Sequence, residues 1–330
     1  MTTDVLTTTG VPSDLEAPAS LPHAGPGVGT IGIALLSAAA FSTSGSFATA
    51  LLKAGWSPGA AVTARIGLAA LVLAPPTIWS LHGRWHLVRR KAVAIMLYGL
   101  TGVAGCQLAY FYAVQHLSVG VALMLEYLSP VLLVLGYWVW TRRRPSTPTI
   151  VGAAVCVAGL MLVLDVFGDA HLSLTGVLWG LGAAVGSAGY FIIAGRADDD
   201  LPPMALAGVG MAAGAVFLGA LGTIGLLPMR ASTNETTFVG HQLPFWLPLG
   251  ALAVLSTAFA YFTGVIAARS LGRTVASFVA LAEVLFSVLF AWLLLGQLPL
   301  VIQLLGGLLI VGGVILVRLG ELRPRAETAL

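Results

Sequence analysis

The chain has 330 residues, of which 58% are hydrophobic and 9% are charged, and its mean hydropathy is +0.96. A soluble domain carries roughly 25% charged residues, so this composition excludes an ordinary soluble protein and predicts a polytopic protein of the lipid bilayer. The formal net charge of +3 does not indicate a nucleic-acid partner, because the basic residues lie in short segments beside apolar stretches, as on the cytoplasmic side of a membrane.

Residues 1–29 are rich in Pro, Gly, Ser and Thr and contain no Lys or Arg. They lack the basic start of a signal peptide, and we interpret them as a disordered cytoplasmic tail.

The rest of the chain divides into apolar segments of about 20 residues, the length of a bilayer-spanning helix. These segments predict an all-α fold with ten transmembrane helices. The predicted ranges are 30–52, 58–80, 92–114, 117–140, 148–166, 173–195, 202–228, 244–267, 272–295 and 300–318.

The basic residues predict the orientation of these helices. With a cytoplasmic N-terminus, thirteen of the sixteen Lys and Arg residues fall on the cytoplasmic side, while Lys53 and Arg230 fall outside and Arg65 falls within the second helix. Cytoplasmic loops carry an excess of Lys and Arg. The split therefore predicts that both termini are cytoplasmic.

The chain also contains an internal repeat, because a shift of 154 positions aligns residues 113–163 with 267–317 without a gap. The matches that are hardest to attribute to chance are Trp138/Trp292, Pro145/Pro299, Gly152/Gly306 and Gly159/Gly313. We interpret 30–166 and 172–318 as two five-helix repeats, followed by a cytoplasmic tail at 319–330. Five is odd, so the repeats cross the membrane in opposite directions, an architecture of transporters with a midplane site.

Three stretches carry a resemblance to a known family: "FSTSGSFATALLKAGWSPGAAVTARIGLAALVLAP" from residue 41, "LEYLSPVLLVL" from 125 and "ALAEVLFSVLFAWLLLGQLPLVIQLLGGLLIVGGVILV" from 280. With the repeat, they resemble the EamA-type exporters of the drug/metabolite transporter superfamily. The resemblance implies a secondary exporter of small polar metabolites, with amino acids or their analogues as the leading class. An uptake permease or a multidrug efflux pump of the same superfamily remains an alternative.

The chain departs from the family pattern at two positions. Gln297 stands where the family commonly has Glu, and Val284 aligns with Pro130. The first change removes a charge from the outer end of the ninth helix, and the second leaves the proline in one repeat only.

Two carboxylates lie deep in predicted membrane helices. Glu126 is about 13 Å from the outer end of the fourth helix at 1.5 Å per residue, near the middle of a core roughly 30 Å thick. Glu283 lies equally deep in the ninth helix, and the repeat register aligns it with Ser129, one helical turn from Glu126.

An ionisable residue inside a membrane normally faces a cavity or a partner. These two carboxylates are therefore candidates to bind the ammonium group of a small-molecule solute, or to exchange a proton for it. The alternative is that each is a structural glutamate, hydrogen-bonded to a neighbouring helix.

Pro130 and Arg65 are further candidates, each with a structural alternative. Pro130 has no N–H and so frees the carbonyl of Glu126 for the site or for a hinge, although a tolerated kink is equally consistent. Arg65 is available to neutralise a carboxylate or to bind a substrate carboxyl group, whereas the resemblance favours a role in stabilising the fold.

Polar and aromatic residues complete a candidate lining of the cavity. They are Ser44, Gln107, Tyr110, Trp179, Tyr190 and Tyr261. Hydroxyls in apolar helices often bond their own backbone and aromatic residues near helix ends often anchor the membrane interface, so each has a structural alternative as well.

Other functions lack their motifs. Gly27, Gly29 and Gly32 spell GxGxxG but follow no strand, and no phosphate-binding GxxxxGK[ST] loop is present, so transport is expected to be secondary. The HExxH, GxSxG and GxGD motifs are absent and the six histidines lack metal-ligand spacing. We therefore predict no cofactor and no metal, and an intramembrane enzyme is only a remote alternative.

Overall fold

A computed structural model describes residues 28–142, 144–164, 173–196, 201–238, 240–267, 279 and 281–322. Within these residues the chain is helical except for connecting loops and one short β-hairpin. Residues 1–27 and 323–330, which hold most of the two predicted tails, lie outside the described residues.

The described residues of the first half of the chain form nine helices and one π-helical segment. The helices are α1 (Val28–Ser42), α2 (Ser44–Lys53), α3 (Pro58–Ser80), α4 (Trp85–Arg90), α5 (Ala92–Leu97), α6 (Cys106–His116), α7 (Val119–Glu126), α8 (Ser129–Thr141) and α9 (Thr147–Val163), and the π-helical segment π1 (Tyr98–Gly105) joins α5 to α6.

The second half contains the hairpin and a second π-helical segment. Its elements are α10 (Leu174–Arg196), α11 (Pro203–Thr223), β1 (Thr236–Phe238), β2 (His241–Leu243), α12 (Trp246–Ala253), π2 (Val254–Phe259), α13 (260–267), α14 (Ala282–Leu295) and α15 (Val301–Leu322).

Seven helical stretches among the described residues are long and apolar enough to cross a membrane. They are Gly29–Lys53, Pro58–Ser80, Ala92–His116, Val119–Gly136, Pro203–Thr223, Trp246–Ala267 and Val301–Gly320. The predicted helices at 148–166, 173–195 and 272–295 correspond to α9, α10 and α14, which are not among these seven. The total of ten spans therefore stays a prediction.

The fourth predicted helix is broken in its middle. It consists of α7 and α8, separated at Tyr127 and Leu128, two residues before Pro130. Pro130 cannot donate a hydrogen bond to the carbonyl four residues earlier, which belongs to Glu126. The break therefore lies where the sequence places both the proline and the carboxylate.

The repeats meet along a seam formed by α9 and α15, and glycine permits their close approach. A Cβ atom on Gly152 would lie 2.6 Å from the carbonyl oxygen of Gly313, and one on Gly159 would lie 2.6 Å from that of Gly306. Small residues let helix backbones approach in this way. Since residue numbers rise along one helix as they fall along the other, the two helices are antiparallel.

The β-hairpin lies at the end of the bundle that carries Lys53, where the long connection after α11 is tied to the turn between α2 and α3. Ser57 donates to the carbonyl of Pro228 at 2.7 Å and accepts from the backbone N–H of Arg230 at 2.9 Å. Phe238 of β1 stacks on Phe47 of α2, with ring centroids 5.1 Å apart. These contacts attach the second half of the chain to the first at this end.

Candidate functional site

Arg65 is the most deeply buried charged residue of the site, with a side chain that is 1% exposed in the middle of α3. Its Nε donates to Thr257 Oγ1 at 2.6 Å and its Nη1 donates to Gln107 Oε1 at 2.6 Å. Its Nη2 lies 3.5 Å from the carbonyl oxygen of Ser256, and its guanidinium carbon is 5.6 Å from the centre of the Phe111 ring. The guanidinium therefore joins α3 and α6 of the first half to π2 of the second.

The hydrogen bonds of Arg65 leave it without a carboxylate partner among the described residues. A guanidinium has five N–H donors, and the partners named above are an amide, a hydroxyl and a carbonyl. These neutral partners use three of the five donors, so the guanidinium retains N–H groups that an anion could accept from. The binding of a carboxyl group at Arg65 stays a prediction.

π2 supplies the groups that hold Arg65 from the second half of the chain. In π2 the Thr257 hydroxyl donates to the carbonyl of Leu252, five residues earlier, at 2.8 Å, and so it can accept from Arg65. Ser256 Oγ lies 2.7 Å from Thr43 Oγ1, at the break between α1 and α2. π-helical turns occur frequently at functional sites.

Glu126 is the last residue of α7 and is half-buried at the break of the fourth helix. The Cys106 sulfur lies 3.4 Å from Glu126 Oε1 and 3.4 Å from the carbonyl oxygen of Ala183 in α10, so its single S–H can donate to one of them at a time. Gly186 brings α10 against α6 at this point, because a Cβ atom there would lie 2.8 Å from the Cys106 Cα.

Glu283, in the first turn of α14, is also half-buried. Tyr127, at the break of the fourth helix, donates its hydroxyl to Glu283 Oε2 at 2.9 Å. The break thus presents one carboxylate of its own and binds the carboxylate of the other half. Glu126 and Glu283 are close enough to interact electrostatically with each other and with Arg65.

The remaining predicted lining residues have different surroundings. Tyr110 and Tyr261 are within electrostatic range of Arg65, and Ser44 Oγ is buried with no hydrogen-bond partner among the described residues. Tyr190 packs against Tyr98 with ring centroids 5.2 Å apart.

Trp179 lies at the periphery of the bundle. It stacks on Tyr112 with ring centroids 4.6 Å apart, and it is 38% exposed. Its predicted role in the lining therefore has less support than that of Tyr110 or Tyr261.

Sequence reasoning missed Cys106, Tyr127 and Thr257 as partners of the three charged groups. The "AYF" stretch at 109–111 recurs at 260–262, and this register of 151 residues aligns Cys106 with Thr257. Each of these equivalent positions donates to or accepts from a charged residue of the site. Once one of these two residues is known, the repeat therefore identifies the other.

Comparison with known proteins gives the same result for both halves of the chain. The model of a family described as the EamA-like transporter family matches residues 29–165 and, separately, residues 174–319. The described structure also resembles a crystal structure that is 23% identical in sequence, with a TM-score of 0.56 that covers 88% of this chain and 96% of the other. At that identity the likeness shows the fold alone.

Several curated proteins are similar over most of their length. The threonine/homoserine exporter RhtA of Escherichia coli K12 is 28% identical over 307 residues, which cover 90% of this chain and 93% of RhtA. The uncharacterized inner membrane transporter YicL of Salmonella typhimurium is 26% identical over 73% of this chain and 77% of YicL. A probable terminal-alkyne amino-acid exporter of Streptantibioticus cattleyicolor is 28% identical over 73% of this chain and 77% of that protein.

Proposed function

The chain belongs to the EamA-like transporter family, and from this membership we propose that it exports small polar metabolites, with amino acids and their analogues as solutes. The family and the curated relatives are transporters and not enzymes, and the apolar helices make the chain a multi-pass integral membrane protein. Two of the similar proteins are named as exporters of amino acids, which favours this solute class over drugs.

The charge arrangement of the site is the observation that supports amino acids as the solute class. Arg65 offers unused N–H donors from a buried position, and Glu126 and Glu283 offer two carboxylates within electrostatic range of it. An α-amino acid has one carboxylate and one ammonium group. We infer that the carboxylate binds at Arg65 through charge-assisted hydrogen bonds and that the ammonium group binds at Glu126, Glu283 or both.

The site lies between the two halves of the chain, which suits a transporter that opens alternately to each side of the membrane. Arg65 and Gln107 come from the first half, whereas Ser256, Thr257 and Glu283 come from the second. Movement of one repeat against the other would expose such a site to each side in turn.

We also propose that Glu126 and Glu283 couple export to the movement of protons. Removal from water disfavours the charged form of a carboxyl group, and two neighbouring carboxylates disfavour each other's charge. One of the pair would then bind a proton when the solute leaves and release it on the other side. The Tyr127 and Cys106 contacts keep both groups at defined positions for this exchange.

The proposed topology has ten spans in two inverted repeats, 30–166 and 172–318, with both termini in the cytoplasm. It is supported by the distribution of Lys and Arg and by the antiparallel packing of the equivalent helices α9 and α15. Single cysteines introduced at 144–147 and at 231–238 test it, because an impermeant reagent added outside should label only the second set. Labelling of both sets from the same side would contradict the topology.

Export itself is tested by comparing the amino acids of medium and cytosol in a bacterial host that overexpresses the protein, with Arg65→Gln at equal abundance as the inactive control. We expect one or a few amino acids to accumulate in the medium only with the unaltered protein. Accumulation in the cytosol would indicate an uptake permease. Resistance to cationic drugs without any change in amino acids would indicate a multidrug pump.

A further inference from the structure

A cavity lined by polar and apolar side chains lies at the end of the bundle that carries Lys53, apart from the site around Arg65. It has a volume of about 450 Å³ and lies where the C-terminal ends of α2 and α6 meet the N-terminal end of α7 and Gln297. Its lining is Thr49, Leu52, Lys53, Val114, Gln115, His116, Leu117, Ser118 and Gln297. We call it the outer vestibule, because the proposed topology places this end outside.

The outer vestibule and the central site share helix α6. This helix carries Gln107, which accepts a hydrogen bond from Arg65, and it also carries His116 of the vestibule. Nine residues of helix separate them, which is about 13 Å at 1.5 Å per residue. The vestibule therefore lies toward the end of the helix that contacts Arg65.

The charge of the vestibule is positive. Lys53 is exposed in it, and its lining contains no Asp or Glu among the described residues. Lys53 is also one of only two Lys or Arg residues that the proposed topology places outside. A concave site with a lysine and no acidic side chain attracts anions.

Gln297 caps the N-terminal end of α7 without adding a negative charge to the vestibule. Its Oε1 accepts the backbone N–H of Val119, the first residue of α7, at 3.2 Å. A glutamate at this position would make the same hydrogen bond but would place a carboxylate in the cavity with Lys53. The neutral amide therefore caps the helix without neutralising the lysine.

We propose that the outer vestibule is a second binding site for the carboxylate of the solute, with Lys53 as its principal ligand. The identity of the solute rests on the proposed function, whereas the anion site rests on the cavity and its charges. The vestibule would hold the solute after it leaves Arg65, and external solute would occupy it in the same way.

The first test measures the charge of the vestibule without transport. Gln115→Cys is introduced in a protein that lacks Cys106 and Cys156, and its labelling rates are measured with two impermeant reagents, the anionic ethylsulfonate and the cationic ethyltrimethylammonium methanethiosulfonates. Lys53→Gln should lower the anionic-to-cationic rate ratio roughly three- to tenfold, because loss of a nearby positive charge disfavours the anionic reagent and favours the cationic one. Gln297→Glu should lower the ratio as well.

Two controls accompany this measurement. Lys53→Arg keeps the charge and should keep the ratio, which separates charge from loss of folding. Arg230→Gln removes the other outer cation, whose side chain is exposed and does not line the cavity, and should leave the ratio unchanged. A ratio that is the same in Lys53→Gln and in the unaltered protein would overturn the proposal.

The second test identifies the ligand chemistry by protection from labelling. External L-threonine should slow the modification of Gln115→Cys, and L-threoninol, which has an alcohol in place of the carboxylate, should not. Equal protection by both compounds would overturn carboxylate binding. Protection by L-threonine without any export of it would leave the vestibule site standing and would contradict the proposed solute instead.

Discussion

The glycine seam and the central site use the two repeats in different ways. At the seam, formed by α9 and α15, both repeats contribute the same residue at equivalent positions, since Gly152 aligns with Gly306 and Gly159 aligns with Gly313. At the central site the repeats contribute different residues, because Arg65 and Glu126 come from the first and Thr257 and Glu283 come from the second.

Packing and binding place different requirements on the two repeats. A seam between two copies of one helix needs the same small residues on both sides, because each backbone approaches the other. A site for an asymmetric zwitterion needs a cation at one place and a carboxylate at another. The central site accordingly combines the aligned positions Cys106 and Thr257 with Arg65, a cation that the first half supplies.

The largest effect is expected from breaking the symmetric seam. Gly313→Leu would place a Cβ atom 2.6 Å from the carbonyl oxygen of Gly152 and 2.6 Å from the Cys156 sulfur. Backbone cannot move away as a side chain can, so we expect destabilisation of about 3 kcal/mol or more, at the upper end for overpacked cores. Size-exclusion chromatography and thermal unfolding in detergent should show little or no folded protein.

The neighbouring residue supplies the control for this experiment. A Cβ atom on Gly312 would meet nothing within 4 Å, so Gly312→Leu should leave the yield of folded protein nearly unchanged. Equal yields of the two leucine variants would show that the seam does not depend on close glycine contacts.

Replacement of Arg65 tests the asymmetric site. Arg65→Gln removes a buried charge from the site. Removal of one partner of a buried, hydrogen-bonded charge interaction typically costs about 2–5 kcal/mol of binding free energy. The efflux rate of the solute should therefore fall roughly 30-fold or more. Arg65→Lys retains the charge but loses the planar guanidinium group and its paired donors. We expect this variant to keep only part of the efflux rate. Efflux from loaded proteoliposomes measures both variants at matched protein amount, and normal efflux by Arg65→Gln would contradict the assignment.

The smallest effect is expected at Cys106, which contacts Glu126 through a weak S–H donor. A lost hydrogen bond of this kind is worth about 0.5–1 kcal/mol, so Cys106→Ala should slow efflux about two- to fivefold. Cys156 is buried at the glycine seam and contacts no residue of the site. Cys156→Ala should therefore leave efflux unchanged, and equal effects of both alanine variants would remove Cys106 from the site.

The sequence allowed the membrane class, the repeat and the three buried charges to be predicted, because each depends on composition or spacing. Pro130 also marked the place where the fourth helix breaks, since a missing N–H is a local property of one residue. The partners of the charges were harder to predict. Thr257 contacts Arg65 across 192 residues, and apolar helices with no strong periodicity do not indicate which face meets which neighbour.

The π-helical segments were not predicted for a related reason. A π turn differs from an α turn by one residue, and Val254–Phe259 has no proline or charge to mark it. The β-hairpin at Thr236–Phe238 and His241–Leu243 was also missed, because its strands are only three residues long. Of these features, π2 places Ser256 and Thr257 beside Arg65, which spacing alone does not reveal.

Efflux under a pH gradient tests directly whether Glu126 and Glu283 bind the solute ammonium group and couple export to protons. Efflux of L-threonine from loaded proteoliposomes is followed with and without an imposed pH gradient, for the unaltered protein, Glu126→Gln and Glu283→Gln at matched amounts. We expect the gradient to accelerate efflux by the unaltered protein and at least one glutamine variant to lose this acceleration. If both variants respond to the gradient as the unaltered protein does, the two carboxylates do not couple export to protons and have a structural role.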